Sequence, residues 1–94
     1  MLKHVLYVPS QHEEDAREIA LTRAGGCTLS AGHRGYWQGP YGVVHEDAIT
    51  LVTVFEDGSD ARDAVVKLLF DRGEQAVAYE TNGVPHLIDA PREG

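Results

Sequence analysis

Hydrophobic and polar positions along this chain switch between a period of two and a period of three to four, and each switch marks an element. Lys3 to Val8 (Lys-His-Val-Leu-Tyr-Val) is β-rich with apolar side chains on both faces, which predicts a central strand. Pro9 disfavours helical geometry at Val8 and ends it. Ser10-Gln11-His12-Glu13 reads as a capping box, so a helix should start there. Ala16, Ile19, Ala20 and Arg23 recur on one face of that helix, and Gly25-Gly26 supplies the left-handed residue that closes it. Cys27, Leu29 and Ala31 then alternate with Thr28 and Ser30 as in a half-buried strand. Gly32 to Gly35 loosens the backbone. Tyr36 to Gln38 and Val43 to His45 can form a hairpin excursion around Gly39-Pro40-Tyr41-Gly42, a type I turn pattern.

Ala48 to Phe55 is the most strand-like run, β-branched and nearly uncharged, and should also be central. Ser59 or Asp60 can cap a second helix, whose Ala61, Ala64, Val65, Leu68 and Leu69 make the better amphipathic stripe, ended by Gly73. Gln75 to Glu80 is a further strand. Asn82-Gly83 favours a two-residue type I′ turn into a short strand, Val84 to Ile88, with Pro85 placing it at an edge. This order predicts an α+β fold: a ferredoxin-like βαββαβ sheet with two helices on one face, plus an inserted hairpin and a short C-terminal edge strand. One domain is expected over residues 1–88, with 89–94 a flexible C-terminal tail. Leu6, Val52, Val54 or their alternates on the uncovered face then need a cover, which predicts a homo-oligomer, a dimer in the first instance.

Composition narrows the function classes. With 94 residues, 43% hydrophobic and 24% charged, the chain is that of a small globular domain. A net charge of −7 with scattered basic residues argues against a grip on nucleic acid. No apolar run is long enough for a bilayer, so no membrane partner is expected and the cytoplasm is the default location. One cysteine, Cys27, forms no disulfide framework. The five histidines match no metal motif, and adjacent His45 and Glu46 would point to opposite faces of a strand; neither a metal nor another cofactor is expected.

Candidate chemistry concentrates between Ala24 and Glu46. Arg34, Tyr36, Trp37 and Tyr41, with His33, His45 and Glu46, form a candidate ligand- or partner-binding set: aromatic rings to stack a planar group and Arg34 to hold a small anionic, nucleotide-like ligand. The competing reading has Trp37 and Tyr36 capping a small core. The leading functional expectation is a non-enzymatic binding protein with no catalytic residue. The alternatives are a small ferredoxin-like dimeric enzyme with His33 or His45 as general base, and a purely structural assembly module.

Ala24-Gly25-Gly26-x-Thr28, Gly35-Tyr36-Trp37 and Gly42-x-x-x-Glu46 ahead of a strand ending Val54-Phe55 resemble a group of small uncharacterised proteins of tailed phages and prophages. These share a Gly-Gly-x-Thr turn, a Gly-x-Trp step and a Glu before a β-branched strand. The resemblance covers roughly residues 20–56. It implies a phage accessory protein in the host bacterial cytoplasm that binds a host protein or sequesters a small signalling molecule, and it names no catalytic residue. Cys27 departs from it, standing where an apolar or aromatic residue is expected.

Overall fold

The structure, a computed structural model, describes residues 1–91. Strand β1 (Leu2–Pro9) leads through a 3-10 turn into helix α1 (Glu13–Ala24); β2 (Thr28–Gln38) and β3 (Val44–Glu56) follow, then α2 (Asp60–Asp71), β4 (Ala76–Thr81) and β5 (Val84–Asp89). The sheet order is β2-β3-β1-β4-β5, every pair antiparallel. This is the expected βαββαβ arrangement with an added edge strand, and the two runs richest in apolar residues, β1 and β3, lie side by side within it.

Alternation divides the sheet into two faces. Leu6 and Val8 of β1, Val52 and Val54 of β3, and Val77 and Tyr79 of β4 turn one way and are buried against Ala16 and Ala20 of α1 and Val65 and Leu69 of α2. The alanines of α1 let that helix lie close. Ala61, Val65 and Leu69 confirm the stripe read on α2, and burying Val65 and Leu69 contributes about 2 kcal/mol each. Val52 and Val54 therefore belong to the core, and their alternates Leu51, Thr53 and Phe55 face the uncovered side.

The turn at Asn82-Gly83 has φ of 49° and 81°, the double left-handed geometry of a type I′ turn. Asp89 still pairs with Ala76, and the Ala90 amide donates to the Gln75 carbonyl (2.8 Å). The end of the expected tail, residues 92–94, lies outside the described residues.

Three local expectations are corrected. The capping box does not form. α1 has no side-chain cap, because Ser10 Oγ (2.9 Å) and Glu13 Oε2 (2.9 Å) both engage the buried Thr50 hydroxyl of β3 instead. A fully buried hydroxyl needs partners more than an exposed helix end does. Next, the inserted hairpin forms, Tyr36 to Gln38 pairing with Val44 to Glu46, but Gly32 to Gly35 do not set it apart from the strands. β2 and β3 run on as one long hairpin, interrupted by a bulge at Ala31–Gly32, where Gly32 has φ 83°. Lastly, Tyr41 at the hairpin tip is left-handed (φ 64°), which a type I turn does not allow.

Candidate active site

The open face of the sheet carries a cavity of about 430 Å³, within the range of small-molecule sites. Its floor comes from alternate residues of neighbouring strands: Tyr7 and Pro9 of β1, Ile49 of β3, Ala76 and Ala78 of β4. Leu87 of β5 closes one side and Trp37 of β2 with Asp47 of β3 the other, while Glu74 and Gln75 stand at one end. Among the described residues no Lys or Arg lines it.

Two polar pairs fix its chemistry. Tyr7 Oη donates to Glu80 Oε2 at 2.5 Å, two side chains brought together by the β1–β4 pairing. The hydrogen bond to Glu80, then burial, then the negative charge of Glu80 raise the Tyr7 phenol above its usual range. Across the cavity, Trp37 Nε1 donates to Asp47 Oδ2 at 3.0 Å, and His45 stacks on the indole with centroids 4.2 Å apart and planes 14° apart. A concave, acidic and aromatic surface of this kind favours a cationic ligand over an anionic one.

The residues singled out in the sequence fall on two sides of the hairpin. His33, Trp37 and His45 share the open face, His33 opposite Ile49 and bonded to Ser30 Oγ (2.9 Å). Arg34, Tyr36 and Glu46 point the other way, where Arg34 Nη1 lies 3.9 Å from Glu46 and Tyr36 Oη donates to Glu46 at 3.5 Å. Tyr41 is fully exposed at the tip. Arg34 therefore offers no anion-binding group to the cavity. Neither Trp37 (51% exposed) nor Tyr36 (62%) caps the core. Tyr7, Asp47 and Glu80 were not singled out. Tyr7 carried one readable signal, a phenol on a central strand at a position alternate to buried Leu6 and Val8.

A second His–carboxylate pair lies on the helix side. His4 is fully buried, its Nε2 donating to the Gly58 carbonyl (2.8 Å) and lying 3.5 Å from Glu56 Oε2, its Nδ1 accepting from Thr81 Oγ1 (2.8 Å). Glu56 accepts from the Ala61 and Arg62 amides (3.0 and 3.1 Å) and so caps α2. Every polar atom of this cluster is engaged, and it does not line the cavity. Among the described residues no group of three His, Cys, Asp or Glu converges as metal ligands, and no helix is long and apolar enough to cross a membrane.

No family model matches this sequence, and no curated protein matches it. Among solved structures, the chain is similar to a phage SAM lyase in complex with S-methyl-5′-thioadenosine. The TM-score is 0.65 at 14% identity, over 95% of this chain and 89% of that one. At that identity the shared property is the fold. The comparison nevertheless overturns the leading expectation of a non-enzymatic binding protein, since a molecule that shares this fold almost end to end is an enzyme. The alternative, a small enzyme on a ferredoxin-like sheet, is the reading it favours. The phage side of the sequence resemblance agrees with the comparison; the accessory binding role does not.

Proposed function

We propose that this protein is a phage-associated lyase that cleaves a sulfonium nucleoside of the S-adenosylmethionine type in the open-face cavity. The observation that carries the reading is the lining: among the described residues it is acidic and aromatic without a cation, on a fold shared with a lyase held in complex with the corresponding thioether nucleoside. A sulfonium is attracted by carboxylates and by the faces of aromatic rings. Asp47 and Glu74 of the lining supply the first, with Glu80 bonded to the Tyr7 hydroxyl beside it, and Trp37 and Tyr7 the second.

The chemistry asks little of the protein beyond placement. When a C–S bond of the sulfonium breaks, its electron pair goes to sulfur, the positive charge disappears and a neutral thioether leaves. In a lyase the vacated carbon is satisfied from within the substrate rather than by water. Holding the reactive conformer in a desolvated site is then the main source of acceleration. Glu80, fixed by the Tyr7 hydroxyl, is placed to hold the cationic part of the substrate. The cavity is open on one side. A second copy of the chain packed on the apolar open face would close it, which keeps the homo-oligomer within this reading.

The test is direct. Incubation with S-adenosylmethionine should release methylthioadenosine, detected by chromatography, and Glu80→Gln or Asp47→Asn should lower turnover about tenfold or more. No thioadenosine product from the folded wild type would sink the proposal, whether or not methylthioadenosine binds in calorimetry.

A further inference from the structure

Trp37 is the only tryptophan of the chain, sits on a hairpin, and is half exposed, yet it is anchored on several sides. Asp47 ties down its Nε1–H at 3.0 Å, and His45 covers one face of the ring. Gly39 completes the arrangement. A Cβ there would stand 3.0 Å from His45 Nε2 and 3.3 Å from Trp37 Cζ3, so only glycine lets the two rings close without displacement. Ile49 makes the same demand of Gly35, whose Cβ would meet it at 3.0 Å. An aromatic side chain needed only for packing would be buried by its neighbours. This one is oriented by them and left facing the cavity, which is preorganisation for a ligand.

We infer that Trp37 is the stacking wall for the purine ring of the nucleoside, with His45, Asp47 and Gly39 as positioning residues. The inference rests on the proposed substrate class and assigns its base to one side of the cavity, leaving the sulfonium end toward Tyr7 and Glu80. Stacking on an indole is tolerant of ring substituents, so the wall selects for a planar heterocycle and leaves discrimination to the polar groups around it.

The experiment uses Trp37 as its own reporter. Wild-type protein is titrated with methylthioadenosine, adenosine and methylthioribose, following fluorescence and, in parallel, calorimetry. Adenosine and methylthioadenosine should change the emission and methylthioribose should not. Trp37→Leu should raise Kd for methylthioadenosine about tenfold or more. It should raise KM more than it lowers kcat. Trp37→Phe should recover most of the affinity, and Gly39→Val or His45→Ala should weaken binding without changing the melting temperature. Full affinity in a folded Trp37→Leu variant, or an emission change with methylthioribose equal to that with adenosine, would overturn the inference. The two proposals fail separately. A wild type that cleaves the sulfonium while Trp37→Leu binds normally removes the stacking wall and keeps the lyase. Quenching by adenosine without cleavage of the sulfonium keeps the wall and removes the lyase.

Discussion

His4→Leu separates a structural from a catalytic role for the buried His4–Glu56 pair. The substitution keeps most of the volume, so the packing term is small. What is lost is two hydrogen bonds, to Thr81 Oγ1 and to the Gly58 carbonyl, both at 2.8 Å. At about 1 kcal/mol net for each, the direct loss is about 2 kcal/mol. The groups left behind keep the penalty at that level: Thr81 Oγ1 retains Arg62 Nη1 (3.3 Å), Glu56 retains two helix amides, and Gly58 is in an exposed turn that water reaches. For a domain of this size, 2 kcal/mol lowers the melting temperature by roughly 8–16 °C. The cavity lies on the other face of the sheet, so turnover per folded molecule should change by less than about threefold, against the hundredfold or more expected for loss of a general base. Thermal unfolding by circular dichroism and a cleavage assay well below the new midpoint measure the two effects. An unchanged melt with turnover abolished would refute the structural assignment and make the pair catalytic.

Three further outcomes test other parts of the structure. The Tyr7 phenol is raised in the folded chain, so its contribution to stability is complete below the unfolded pKa near 10 and is lost as pH rises through the higher folded value; phenolate absorbance should show a late titration that Glu80→Gln moves earlier, and an unmoved titration would count against the pair. Phe55→Glu should leave the fold intact and reduce self-association in size-exclusion chromatography, whereas Val54→Glu, at a fully buried position, should unfold the chain; identical elution of wild type and Phe55→Glu would remove the open face as an association surface. Thr50→Val removes the shared partner of Ser10 and Glu13 and should cost ~1–3 kcal/mol in urea unfolding; no change in the midpoint would mean that water replaces that hydroxyl freely.

What was legible in the sequence is what local chemistry determines. Asn82-Gly83 sets its own turn, because both residues tolerate positive φ, and the lone edge proline and the α2 stripe needed no distant information. Ser10 and Glu13 failed for the opposite reason: their partner, Thr50, is 40 and 37 positions away, and only the β1–β3 pairing brings it within reach. The glycines between Gly32 and Gly35 read as a break in a strand, and they are instead one bulge and one close contact inside a strand that continues. The aromatic set falls on both faces of the hairpin. Period-two alternation places Trp37 on one face and both Arg34 and Tyr36 on the other, so proximity in sequence joined residues that the strand separates. The Tyr7–Glu80 pair could not be read at all across 73 positions.

The division of the sheet into a closed and an open face explains why a site has to be sought on the second. On the helix side Leu6, Val8, Val52, Val54, Val65 and Leu69 pack together as one buried core. The polar groups that enter it, His4, Thr50 and Glu56, are all bonded, and among the described residues no buried side-chain polar atom lacks a partner. A core so paired leaves no unspent hydrogen-bonding capacity for a ligand. The open face has both room and such capacity: a floor of Tyr7, Pro9, Ile49 and Ala78 without a helix over it, the lining carboxylate of Asp47, and Glu80 behind the Tyr7 hydroxyl, these two each tied to one aromatic donor. A carboxylate can accept at both oxygens, so each retains accepting capacity beyond that single bond. Placing two negative charges and two aromatic rings around one concave apolar floor raises the cost of leaving it to water, and a planar, positively charged ligand relieves that cost in a way an anion does not.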